Sequence, residues 1–137
     1  MTLKSNKYSK ARRKKRNRML VVDDEPDANI TLKTLLEENG FETDAHTDPL
    51  AALQSFRRGK YDLLLLDIKM PKMEGFELYQ KMKEIDNKVK VCFVTASELF
   101  YEEFRENHEI EEKYFILKPM KNEEIMKRIN NILHENE

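Results

Sequence analysis

Leu63-Leu64-Leu65-Leu66-Asp67-Ile68-Lys69-Met70-Pro71-Lys72-Met73-Glu74-Gly75 is the stretch that decides the fold. The four leucines are apolar throughout, so they read as a strand buried on both faces. Such a strand belongs to a parallel sheet with helices packed on either side. Asp67 ends the run with a charge, and Pro71 and Gly75 punctuate a loop. The segment after Gly75 puts Leu78, Tyr79 and Met82 on one helical face.

The same unit recurs on both sides of this strand. Residues 19–22 form a short buried strand, and Pro26 fits the first turn of a helix because its φ is already set. Ala28, Leu32, Leu35 and Leu36 share that helix's inward face, and Gly40 closes it. Residues 41–45 read as a less apolar strand at a sheet edge. Asp48 and Pro49 then start a helix with Ala52, Leu53 and Phe56 inward. Towards the C-terminus, residues 89–94 form a fourth strand and residues 98–109 a helix rich in aromatics (Leu99, Phe100, Tyr101, Phe104). Residues 114–117 form a fifth strand, and Ile125, Ile129, Ile132 and Leu133 mark a last helix. The order is (βα)₅, a doubly wound α/β fold with right-handed crossovers. The three glycines and four prolines all fall at or between element ends, in agreement with this division.

At 137 residues the chain has room for one core. No apolar run approaches the ~18 residues of a membrane span. The short run at residues 19–22 also falls short of the ~7–15 residues of a secretory signal. One cysteine, Cys92, excludes an intrachain disulfide framework and a cysteine-rich zinc site; it reads as a core residue in a reducing, cytoplasmic setting. The net charge of −1 conceals a strong asymmetry. Residues 1–18 hold nine Lys or Arg and no acid, whereas residues 19–137 carry ten more acidic than basic side chains. The expectation is a basic, disordered tail at 1–18 on an acidic globular domain at 19–137. The tail reads as a solubilising or self-associating arm, as a contact for nucleic acid or an anionic membrane surface, or as a segment that folds back on its own acidic body.

In an open parallel sheet, ligands bind beyond the carboxyl ends of the strands. Asp23, Asp24 and Glu25 follow the first strand, Asp67 the third, Thr95 the fourth and Lys118 the fifth. Three aspartates converging on one crevice require a positive partner. A hard divalent cation with oxygen ligands, Mg²⁺, suits them, and Lys118 adds a second positive charge. With Thr95 as a hydroxyl donor, the layout is one for phosphoryl transfer to Asp67. Each feature alone has a plainer reading: strand-terminal Asp and Thr often cap the next helix, and Lys-Pro is often a turn. His46, His108 and His134 lack ligand spacing and read as surface residues.

The motifs Leu20-Val21-Val22-Asp23-Asp24-Glu25-Pro26, Asp67 through Gly75, Val94-Thr95-Ala96-Ser97 and Leu117-Lys118-Pro119 resemble, in order, those of a response-regulator receiver domain of two-component signalling. The resemblance implies a flavodoxin-like three-layer sandwich with strand order 2-1-3-4-5. It implies that Asp67 accepts a phosphoryl group, that Asp24, Asp67 and the Lys69 carbonyl bind Mg²⁺ directly, and that Asp23 acts largely through water. Thr95 and Lys118 would engage the phosphoryl group, Thr95 and Phe115 would form the switch, and Lys118–Pro119 would be cis. Phe115 stands where Tyr is common, keeping the ring without the hydroxyl. The Gly-Ala pair usual before the fifth strand is absent, with Glu111-Glu112 in that region.

The leading expectation is a stand-alone module, because the sequence stops at Glu137, soon after the last helix. It would be loaded by a sensor histidine kinase or phosphotransfer protein and would catalyse only its own phosphorylation and dephosphorylation. Its output would be contact with a downstream protein, or a homodimer formed on phosphorylation. The alternative is a receiver-gated regulator that holds nucleic acid through the basic tail. A phosphorylation-independent scaffold has no need of a repulsive carboxylate cluster. A phosphatase for outside substrates would want a substrate-binding insert.

Overall fold

The computed structural model describes residues 17–135; the basic run at 10–16 lies outside them. Five strands, β1 (Arg18–Val22), β2 (Glu42–His46), β3 (Leu63–Asp67), β4 (Lys90–Thr95) and β5 (Phe115–Leu117), pair in parallel in the order β2-β1-β3-β4-β5. Five helices alternate with them: α1 (Pro26–Glu38), α2 (Pro49–Ser55), α3 (Gly75–Ile85), α4 (Glu98–His108) and α5 (Asn122–Leu133).

The period-2 alternation of a strand divides the core into two layers. Leu20, Val22, Leu64, Leu66, Val91, Phe93 and Phe115 face α2, α3 and α4, and meet Ala52, Leu78, Met82 and Phe104 there. Met19, Val21, Leu63, Leu65, Cys92, Val94 and Ile116 face α1 and α5, and meet Leu32, Leu36, Ile125, Ile129, Ile132 and Leu133. Both faces of the central strands are covered, as the unbroken leucine run requires. Cys92 is fully buried, and burial pushes its thiol up to about 12. Among the described residues no helix is long and apolar enough to cross a membrane.

Several boundaries differ from the sequence reading by one residue, each for a local reason. β1 starts at Arg18 because its N–H donates to the Asp62 carboxylate and its carbonyl accepts from the Asp62 N–H, both at 2.8 Å. Arg18 therefore belongs to the sheet and not to the tail. β2 starts at Glu42 because Phe41 is used to close α1. Gly40 has φ +90°, its N–H donates to Glu37 O at 3.1 Å, and the Phe41 N–H donates to Leu36 O at 3.1 Å. That pair of bonds is a Schellman closure, which needs a left-handed residue where Gly40 sits. Tyr114 lies in a 3₁₀ turn (Glu112–Tyr114) ahead of β5.

Candidate functional site

The sheet register sets the site. Val22 of β1 pairs with Leu66 of β3, so the residues that follow, Asp23 and Asp67, emerge side by side. One carboxylate oxygen from each of Asp23, Asp24 and Asp67 lies within 4.8 Å of the others. Asp23 is buried, Asp67 half-buried and Asp24 exposed, so the cluster opens to solvent on the Asp24 side. Asp23 Oδ1 accepts the Glu25 N–H at 3.0 Å, and Asp67 Oδ1 accepts the Lys69 N–H at 3.4 Å. The loop after Asp67 folds back so that the Gly75 N–H donates to Ile68 O at 2.9 Å. A Cβ on Gly75 would collide with the Asp67 carbonyl oxygen, which is why a glycine opens α3.

The helix-cap reading of these aspartates does not hold. The N-cap of α1 is Glu25 and that of α3 is Glu74, and neither Asp24 nor Asp67 caps a helix. Thr95 Oγ1 does accept the Ser97 N–H at 3.1 Å, but the cap of α4 is Ser97, whose Oγ accepts the Phe100 N–H at 3.2 Å. Among the described residues the Thr95 hydroxyl proton has no acceptor, so it is free to donate to a group entering the crevice. The Lys118 N–H donates to Thr95 O at 2.8 Å, tying β5's end to β4's, and the Lys118–Pro119 peptide is cis.

The electrostatics show what the site lacks. Burial pushes the Asp67 carboxyl up to about 8; the Asp23 charge and a hydrogen bond with Asp24 add to this, while the Lys69 N–H opposes it. Among the described residues only Lys118 pairs with any of the three carboxylates, at 3.9 Å from Asp23 Oδ2. One ammonium at that distance does not neutralise three carboxylates. An open cluster of carboxylate oxygens short of positive charge fits a hard divalent cation.

The structure thus brings together Asp23, Asp24, Asp67 and Lys118, with Thr95 on the adjoining strand end. The Lys69 side chain points to the rim, with Nζ 3.7 Å from Glu74 and 5.3 Å from the centre of the Phe100 ring. Phe115 is buried under α4, edge-on to Tyr101 (centroids 5.1 Å apart) and to Phe104 (5.7 Å). His108 is not a surface residue: it is half-buried and stacks on Phe76 at 3.8 Å. One residue at the site was missed. Asn29 shares an inward stripe with Leu32 and Leu36, and its side-chain amide donates to Asp23 O at 3.0 Å and to His46 O at 2.8 Å. Its spacing from Leu32 and Leu36 was the available signal, hidden because polar residues are usually assigned to the outer face.

Comparison with known proteins agrees with this geometry. The family model for the response regulator receiver domain matches residues 19–130. The chain is 32% identical over 116 residues to the transcriptional regulatory protein RprY of Bacteroides fragilis, covering 85% of this chain and 49% of that protein. It is 35% identical over 79 residues to sporulation initiation phosphotransferase F of Bacillus subtilis, covering 58% of this chain and 64% of that protein. A response regulator receiver domain protein from Methanospirillum hungatei superposes with a TM-score of 0.75 at 29% identity, covering 88% of this chain and 96% of that one. The response regulator TrrA from Thermotoga maritima, in complex with Mg²⁺-BeF, gives 0.72 at 30% identity, covering 85% and 98%. A doubly wound sheet with an acidic cluster at its carboxyl edge defines the class, and the chain belongs to the response regulator receiver domain family. It spans about half the length of RprY and under two thirds of the sporulation phosphotransferase.

Proposed function

We propose that Asp67 is the phosphoryl acceptor of this receiver domain, loaded with Mg²⁺ bound from the phosphohistidine of a sensor histidine kinase or phosphotransfer protein. The observation that carries this reading is the three-carboxylate cluster, in which burial and then the neighbouring Asp23 and Asp24 raise the Asp67 carboxyl, and which among the described residues has only Lys118 as a cationic partner. Asp24, Asp67 and the Lys69 backbone carbonyl would hold the ion, with Asp23 acting through water. Bound Mg²⁺ supplies the positive charge that keeps Asp67 ionised at neutral pH and offsets the charge of the phosphoryl oxygens. An Asp67 carboxylate oxygen attacks phosphorus, the N–P bond of the donor breaks, and the departing imidazole nitrogen takes up a proton. The product is an acyl phosphate on Asp67. Lys118 pairs with one phosphoryl oxygen and Thr95 donates its hydroxyl to another. Because Thr95 and Lys118 are tied through their backbones, that engagement draws on β4 and β5 together. Phe115 and Tyr101, packed edge-on between β5 and α4, would transmit the shift to a surface of α4, β5 and α5. That surface would bind a downstream protein or a second copy of the chain.

Intact-protein mass spectrometry with phosphoramidate as donor tests the reading. Wild type should gain one phosphoryl group with Mg²⁺ and none in chelator, and Asp67→Asn should gain none. Equal labelling of Asp67→Asn would overturn it.

A further inference from the structure

We infer that Asn29 is a positioning residue for the metal-binding carboxylates, an inference that rests on the reading of Asp67 as a Mg²⁺-dependent phosphoryl acceptor. Asn29 lies on the inward face of α1 and is 4% exposed. A primary amide buried there is costly unless its donors are satisfied. Both bonds it makes run to backbone carbonyls of two other segments, Asp23 O at 3.0 Å and His46 O at 2.8 Å. The His46 carbonyl also accepts the Asp23 N–H at 3.2 Å. One side chain therefore fastens α1 to the turn after β1 and to the end of β2.

The place where it fastens matters. The Asp23 carbonyl belongs to the planar peptide that joins Asp23 to Asp24. With the preceding plane held by the Asp23 N–H to His46 O, both planes flanking the Asp23 Cα are fixed and so is the direction of its side chain, while for Asp24 the plane that precedes it is set. Asp23 Oδ1 is held separately by the Glu25 N–H. The turn carrying two of the three carboxylates is thus immobilised before any cation arrives. Without Asn29 the repulsion among the carboxylates would act on a looser turn, and the exposed Asp24 would be the first to swing away. Removing a hydrogen-bonding partner that orients metal ligands typically weakens metal binding by about 10–100-fold. A residue important only for folding would change the melting temperature and leave the Mg²⁺ affinity of the folded protein unaltered.

The test compares Asn29→Ala and Asn29→Gln with wild type in two assays: calorimetric titration with MgCl₂ alone, and acetyl phosphate labelling across a Mg²⁺ series. For Asn29→Ala, Mg²⁺ should bind about tenfold more weakly, and half-maximal labelling should move to about tenfold higher Mg²⁺. Its labelling rate at saturating Mg²⁺ should stay within about twofold of wild type, the pattern of lost positioning and not of lost chemistry. Asn29→Gln keeps the amide and should recover most of the affinity. Should Asn29→Ala not fold, Asn29→Ser, whose hydroxyl has one proton for two carbonyls, takes its place against Asn29→Gln. Wild-type Mg²⁺ affinity in the folded Ala or Ser variant overturns the proposal, as does equal weakening in that variant and in Asn29→Gln. Absence of Mg²⁺-dependent labelling in wild type would instead reject the phosphoryl-acceptor reading, while the calorimetric comparison would still decide the role of Asn29.

Discussion

At Gly75 a single methyl group would press on the Asp67 carbonyl oxygen. Gly75→Ala is therefore expected to destabilise the fold by about 1–3 kcal/mol, as overpacking does, and to displace the loop after Asp67. Urea titration reads the first effect and Mg²⁺ titration the second; a neutral Gly75→Ala would mean that the loop has slack. The charge at Asp67 gives a pH prediction with a definite sign. Its folded-state pKa is raised to about 8 from an ordinary 3.8, so the stability it contributes is complete below about pH 4 and is lost as pH rises through 8. In chelator, Asp67→Asn should thus gain on wild type as pH increases from 5 to 9, by about 1–3 kcal/mol once solvent screening of this half-exposed group is allowed for. Mg²⁺ should shrink the gap, and melting curves at each pH check both statements. Asp23, Asp67, Thr95 and Lys118 were legible in the sequence because each stands at the end of an apolar run, with Asp24 next to Asp23. Asn29 was not, because its importance depends on a carbonyl 17 residues away that no hydropathy pattern encodes.

Among the elements, α4 begins three residues after Thr95. Ser97 caps it, so Ser97→Ala should cost about 0.5–2 kcal/mol and increase amide exchange in the first turn of the helix. Lys69 lies two residues beyond Asp67 and reaches over the Phe100 ring while pairing with Glu74. If that tether holds the ammonium over the acyl phosphate, Lys69→Asn and Phe100→Ala should shift the phosphoryl half-life in the same direction, by about threefold or more, since small misplacements near a reacting centre have large effects. Unchanged half-lives in both would detach α4 from dephosphorylation. The order and type of the elements could be read because strand and helix periods differ so clearly along this chain. Individual ends could not. Phe41 is as apolar as a strand residue, yet the Schellman closure of α1 claims its N–H, and β2 starts one residue later. Likewise the charged Arg18 looks like tail until the Asp62 carboxylate and backbone draw it into the sheet.

For the whole molecule, the two-layer core makes Cys92 a reporter of global unfolding. Its thiol is fully buried and pushed up to about 12, so neutral-pH alkylation should proceed only through unfolding and should follow the urea transition. Rapid alkylation in native buffer would show that the α1/α5 layer opens on its own. The sheet order β2-β1-β3-β4-β5 places β1 and β3 together at the centre, and this adjacency makes one site out of Asp23, Asp24 and Asp67. That convergence is the basis of the central claim, that the acyl phosphate forms on Asp67. It is tested most directly by locating the label: wild type is treated with acetyl phosphate and Mg²⁺, reduced with borohydride, digested and sequenced by mass spectrometry. The account predicts reduction of the side chain at position 67 to an alcohol, dependent on Mg²⁺. Reduction at Asp23 or Asp24, or a label elsewhere that persists in chelator, would contradict it.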